Sequence, residues 1–163
     1  MLITMFFSGG TIPAYLNIKN LGLINSRLTI ILMCGISSFN IIVMKNGFEQ
    51  VPDALEEAAK IDGCNLAQSI IHVVLPLTLP GIAAIFCFAF VNIWNELFIA
   101  VMMINKAAKF TVPVALNSFI SKAGVSWDLM SAGIVVSLLP TMIVFGIGQK
   151  YIVAGLTDGG VKG

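Results

Sequence analysis

Two sets of polar residues interrupt an otherwise apolar sequence, and their types limit the chemistry open to it. Glu57, Asp62 and His72 lie in a polar island, VPDALEEAAKIDGCNLAQSIIHVVLPLTLPGI, that runs from Val51 to Ile82. Asn92, Asn95 and Glu96 lie in the apolar run 81–104. Glu96 and His72 fall on different sides of a proline-broken segment, and neither has a nucleophile or a metal-ligand partner at useful spacing. Cys34, Cys64 and Cys87 are far apart and form no CxxC or Cys/His pattern, so they read as small apolar filler. His72 reads as a structural or interfacial histidine. No glycine-rich loop with a following Lys-Ser or Lys-Thr is present to cradle a phosphate. The expectation is a protein that is not an enzyme, with no cofactor and no metal.

Asn92, Asn95 and Glu96 stand at i, i+3 and i+4, which puts them on one side of a helix. A carboxylate at the centre of a bilayer costs about 2.5–3.5 kcal/mol on insertion scales, so Glu96 should face protein, a wet cavity or the membrane surface. Three readings follow: a polar cluster between helices, the lining of a translocation path, or an interfacial position.

The island reads as helix, glycine corner, helix. Pro52 suits the first helical position, and Asp53, Glu56 and Glu57 put negative charge where backbone N–H groups are unpaired. Glu56 and Lys60 make a favourable i,i+4 pair. Leu55, Ala58, Ala59 and Asp62 share a face with small residues at its centre, open to close approach by another protein. Gly63 ends this helix. Asn65 with Gln68 forms a cap-and-return pair for a second short helix through Ile70, Ile71 and Val74, which Pro76 interrupts. Spacing alone is equally compatible with a solvated loop between two membrane spans.

The elements around these residues belong to a membrane. Of the 163 residues 58% are hydrophobic and 10% charged, against about 25% charged in a soluble domain. The net charge of +1 and the absence of a basic run give no case for nucleic-acid binding. The apolar start, with no positive leading region and no cleavage pattern, argues against a removable signal peptide.

The expected architecture is all-α and polytopic. Residues 1–16 are a partial span, short of the roughly 20 residues needed to cross, with Gly9, Gly10 and Pro13 as kink points. A span over 28–44 follows, where Ser37, Ser38 and Asn40 can bond to neighbouring helices and Gly35 permits close approach. After the loop 52–74 come a span over 81–104 and an outer connection over 105–128, the latter broken by Pro113 and carrying a short helix near Leu116, Phe119 and Ile120. A last span covers 129–148, kinked at Pro140, where Ser137 and Thr141 can bond freed carbonyls, and a tail occupies 149–163.

Glu57-Ala58-Ala59, Asp62-Gly63 and Leu75-Pro76 with Pro80 together resemble the EAA loop of ABC importer permeases, closest to the binding-protein-dependent carbohydrate uptake family of the maltose type. Trp94-Asn95-Glu96 resembles the tryptophan-asparagine step of such permeases, and the ending Gly155-Leu156-Thr157-Asp158-Gly159-Gly160-Val161-Lys162-Gly163 is similar to their glycine-rich tail. Cys64 stands where the family usually has alanine, and Ile71 and His72 where an aromatic or aliphatic residue is common.

The resemblance implies a multi-pass subunit of the bacterial cytoplasmic (inner) membrane, in contact with lipid, that translocates a sugar or oligosaccharide. Its partners would be a second permease subunit, ATP-binding ATPase subunits that hydrolyse ATP, and an extracytoplasmic solute-binding protein. Glu57, Ala58, Ala59, Asp62 and Gly63 would form the cytoplasmic coupling helix that sits in a cleft of the ATPase. The polar trio Asn92, Asn95 and Glu96 would then be candidates for the translocation path.

Such permeases usually have six spans, so the chain looks like the C-terminal portion of one, truncated at its N-terminus. With the island and tail inside, Lys45, Lys60, Lys150 and Lys162 are cytoplasmic and Lys19, Arg27, Lys106, Lys109 and Lys122 are outside, so charge counting does not assign the orientation. Two alternatives stand beside this reading. One is a permease for a non-sugar solute, because EAA loops are shared across importer classes, and the other is a membrane scaffold that binds a partner without transport.

Overall fold

The computed structural model describes residues 2–7, 9–121 and 124–159. Ser8, Lys122 and the last four residues of the glycine-rich ending therefore lie outside the described residues. The helices are α1 (Leu2–Phe6), α2 (Thr11–Asn20), α3 (Arg27–Gly35), α4 (Ser38–Glu49), α5 (Asp53–Ile61), α6 (Leu66–Ser69), α7 (Leu75–Trp94), α8 (Phe98–Met103), α9 (Val112–Asn117) and α10 (Trp127–Gly159). A π-turn over Ile70–Val74 joins α6 to α7, and a two-residue antiparallel ladder pairs β1 (Ile120–Ser121) with β2 (Gly124–Val125).

Among the described residues two helical stretches are long and apolar enough to cross a membrane, Leu66–Trp94 with 29 residues and Trp127–Ile152 with 26, and α3 with α4 makes a third if the bent pair is one span. Along α10 the large apolar residues Leu129, Val135, Val136, Leu139, Met142 and Ile143 are all exposed. An apolar helix face bare of protein is suited to lipid.

The helix bounds differ from the expected spans in informative ways. Over the expected span 28–44, α3 and α4 meet at 54° around Ile36 and Ser37. Pro76 does not interrupt the second helix of the island. The preceding turn widens to π geometry, and the helix continues through Pro76 and Pro80. A proline ring clashes with the carbonyl four residues back, and a wider turn relieves that clash without ending the helix. At the other end, α7 stops at Trp94 and α8 starts at Phe98, so the run over 81–104 is divided. The last helix runs past residue 148 to Gly159, and Pro113 lies in the first turn of α9 rather than breaking the connection. Likewise α2 extends past residue 16 to Asn20.

The chain forms two compact units. The first comprises Met1–Ser38 and Phe88–Val144. Its core joins Ile18, Ile30, Ala100, Met103, Ile104 and Val114, so Ile18 and Val114, which lie outside the expected spans, pack with residues of two of them. Asn25, the one non-glycine residue with positive φ (61°) among those described, fastens this core. Its N–H donates to the Met103 carbonyl at 2.8 Å, and its Oδ1 accepts the N–H groups of Asn105 and Lys106 at 2.7 and 3.0 Å. The Arg27 guanidinium adds bonds to the Lys109 and Ala108 carbonyls at 3.1 and 3.3 Å. Ser38 does bond to another helix, its hydroxyl lying 3.1 Å from that of Thr4. At Gly35 an added Cβ would meet Ile93 at 3.6 Å, an ordinary contact.

The second unit comprises Phe39–Cys87 and Phe145–Gly163. Its α4 carries the ion pair Lys45–Glu49 at 2.8 Å, the one ion pair within 4 Å among the described residues, so the expected Glu56–Lys60 pair is not made. In this unit α7 and α10 approach closely, because a Cβ added at Gly148 would collide with the Cys87 sulfur.

Candidate functional site

The α5–α6 corner is closed by backbone and side-chain caps at both of its joints. Pro52 is the residue before the first helical position, extended at ψ 132°, one place earlier than its chemistry suggested. At the far end the Gly63 N–H donates to the Lys60 carbonyl (3.1 Å) and the Cys64 N–H to the Ala59 carbonyl (2.9 Å), with Gly63 at φ +81°. This is a Schellman ending, which satisfies carbonyls the helix would otherwise leave unpaired and favours glycine at the left-handed position. Across the corner the capping box is complete: the Gln68 N–H donates to Asn65 Oδ1 and the Asn65 N–H to Gln68 Oε1, both at 2.9 Å.

Four of the five island residues expected to touch a partner are exposed, namely Glu57, Ala58, Asp62 and Gly63. Ala59 is 5% exposed and packs inside the unit. Beside the exposed four, Ile61 (86% exposed) and Leu66 (75%) leave large apolar surface bare. A rigid corner with bare aliphatic groups beside acidic ones has the makeup of a docking surface: apolar contact supplies affinity and the charges set register.

The second set of polar residues is bonded within its own stretch of chain. Asn92 Nδ2 donates to the Phe88 carbonyl and Asn95 Nδ2 to the Val91 carbonyl, each at 3.0 Å and each one helical turn back. Both asparagines are exposed. Glu96 sits in the break between α7 and α8, half-buried, and its Oε1 accepts the Ile99 N–H at 2.8 Å. That bond satisfies one of the unpaired donors that begin a helix and places negative charge at its positive end. The break thus removes Glu96 from the helix face shared by the asparagines. Between them Trp94 stacks on Phe90, with centroids 5.7 Å apart, and its Nε1 donates to the Ser137 carbonyl at 3.1 Å.

Sequence reasoning missed Arg27 and the clasp made by Asn25. Nothing in the sequence indicates which distant backbone groups these side chains reach. Thr111 was also missed: its hydroxyl is buried without a partner among the described residues.

These features define an integral membrane protein with a capped, solvent-facing helical corner suited to holding a second protein. The chain belongs to the family described as binding-protein-dependent transport system inner membrane component, which it matches over residues 1–158.

Among its relatives is the polygalacturonan/rhamnogalacturonan transport system permease protein YtcP of Bacillus subtilis, 39% identical, with 100% of this chain and 62% of YtcP covered. The diacetylchitobiose uptake system permease protein DasC of Streptomyces coelicolor is 35% identical over 93% of this chain and 56% of its own length. A bacterial ABC transporter involved in the import of the acidic polysaccharide alginate has a similar crystal structure, with TM-score 0.77 and 33% identity over 92% of this chain and 59% of that one. The chain spans less than two thirds of the length of each of these proteins.

Proposed function

We propose that the chain forms part of the membrane pathway of an ATP-driven importer for a sugar or oligosaccharide. A separate ATPase subunit docks on the α5–α6 corner and supplies the energy of ATP hydrolysis, while a second permease subunit completes the pathway and an extracytoplasmic solute-binding protein delivers the solute. The observation that carries this reading is the corner itself: Glu57, Ala58, Asp62 and Gly63 lie exposed beside bare Ile61, on a helix whose Schellman ending leads into a capping box. The relatives named above, which are carbohydrate permeases by description, support the solute class.

Glu57 offers a carboxylate to a basic group of the ATPase, Ala58 allows close approach, and Asp62 with Gly63 fixes the angle of the corner. Ala59 acts from inside, holding α5 against its own unit. Asn92 and Asn95, exposed in this chain, face the translocation path or the second permease. Glu96 holds the helix break that places them.

Co-purification of the ATPase with the full subunit, followed by sugar-stimulated hydrolysis and uptake in proteoliposomes, tests the reading. Glu57→Lys should abolish both stimulation and uptake. Uptake by that variant at the wild-type rate would refute the role of Glu57, and uptake of a non-sugar solute alone would refute the solute class.

A further inference from the structure

Between the docking corner and the long apolar helix lies the π-turn Ile70–Val74, in which the Leu75 N–H reaches back five residues to the Ile70 carbonyl. A π-turn holds one residue more than the α geometry it interrupts. Converting it to α geometry would turn everything N-terminal to it by roughly 100° and shift it by about 1.5 Å, the increments of one helical residue.

The backbone here is unusually free to change its bonding. Neither Pro76 nor Pro80 has an N–H, so two rungs of the helix ladder are missing immediately after the turn. The Thr78 hydroxyl donates to the Val74 and Leu75 carbonyls, at 2.9 and 3.3 Å.

A side-chain latch spans the same turn. His72 Nδ1 lies 3.0 Å from the Gln68 carbonyl and donates to it in the tautomer that carries the proton on Nδ1. Gln68 is also the return half of the capping box with Asn65. A chain of hydrogen bonds therefore runs from the glycine corner, through Asn65 and Gln68, to His72 inside the π-turn. Asn65, Gln68 and His72 are exposed, as are Ile70 (45%) and Ile71 (57%), so the outer face of the turn has room to rearrange.

We propose that this π-turn is the joint of the coupling element, with His72 as its positioning residue. Bonded to Gln68, His72 holds the π geometry and one rotational setting of the corner. Release of that bond lets the turn pass to α geometry and rotates α5 and α6 together, as one capped body, about α7. The inference rests on the docking role proposed for the corner and adds where its movement is absorbed.

Hydrogen exchange on the reconstituted transporter, nucleotide-free and ATP-bound with a hydrolysis-deficient ATPase, reads the joint directly. Protection of the amides of Ile71–Leu75 should change at least tenfold between the two states, and protection equal within twofold would overturn the proposal. In the same complex His72→Ala should lower the ratio of sugar-stimulated to basal hydrolysis about fivefold while the ATPase still co-purifies. His72→Asn, whose amide can also donate to the Gln68 carbonyl, should restore most of the ratio. A wild-type ratio in His72→Ala, or no rescue by asparagine, would remove His72 from the mechanism. Failure of the ATPase to co-purify with the wild-type subunit would instead overturn the docking reading on which the joint depends.

Discussion

The indole Nε1 of Trp94 donates to the carbonyl of Ser137 at 3.1 Å, joining the last turn of α7 to α10 three residues before Pro140. Pro140 lacks the N–H that would bond the Val136 carbonyl, the one next to Ser137. The Ser137 oxygen has two lone pairs, so the indole donor can bond it beside a helical partner, while the Ser137 hydroxyl turns back to the Ile134 carbonyl at 2.7 Å. Trp94→Phe should keep the stacking on Phe90 but lose the donor, at a cost of about 1 kcal/mol. Thermal unfolding in detergent measures it. A change in stability within error would mean that water replaces the indole at that carbonyl.

Gly63 carries a different constraint. At φ +81° a side chain is strained even though a Cβ there meets no atom within 4 Å. Gly63→Val should therefore cost about 1–2 kcal/mol in the corner, and Gly63→Asn less, because asparagine tolerates the left-handed region. Loss of ATPase co-purification in the order Val, then Asn, then wild type is the expected readout. Equal binding by all three would separate the geometry of the corner from docking.

Gly148 is limited by space. A Cβ there collides with the Cys87 sulfur, and Cys87 is 3% exposed with little room to move. Gly148→Ala should destabilise the protein by about 1–3 kcal/mol, the usual cost of overpacking. Cys87→Ala should recover much of that loss in the double variant, because it removes the colliding atom. Additive losses in the double-mutant cycle would show that the two helices separate instead of clashing.

The membrane class, the helix–glycine–helix corner and both caps of the island were legible because they depend on local chemistry: hydropathy, glycine at a left-handed position, and an Asn and Gln three residues apart. The helix breaks were less so. Pro76 carries the usual signal for an interruption, yet a π-turn absorbs it, and Asn95–Leu97 carries no breaker although α7 ends there. The clasp at Asn25 reaches backbone groups about eighty residues away, and only folding brings them together. For the same reason the polar spacing at Asn92, Asn95 and Glu96 suggested one helix face, whereas the chain breaks before the carboxylate.

Asn25 is the test of how far the first unit depends on that clasp. Alanine would lose both acceptor bonds and would be held at φ 61°, so Asn25→Ala should cost about 2–3 kcal/mol. Asn25→Asp keeps an acceptor for the Asn105 and Lys106 N–H groups and should lose much less. Asn25→Gly loses the acceptor without strain at positive φ, so unfolding measurements on it beside the alanine variant separate the acceptor from the backbone. A glycine variant as stable as the wild type would assign the cost to conformation rather than to the clasp.

Glu96 distinguishes a structural carboxylate from one that meets the solute. Its bond to the Ile99 N–H needs an acceptor oxygen but not a full negative charge. Glu96→Gln should therefore keep α8 in place and hold sugar uptake within about twofold of wild type, since only the charge at the helix start, worth about 0.3–1 kcal/mol, is lost. Glu96→Ala removes the acceptor as well and should lower both stability and uptake, because α8 carries Ala100 and Met103 into the buried core of the first unit. The two variants together make the decision. If glutamine abolished uptake as completely as alanine while leaving thermal stability unchanged, the charge itself would be needed in the pathway, and the capping bond could not be the main work of Glu96.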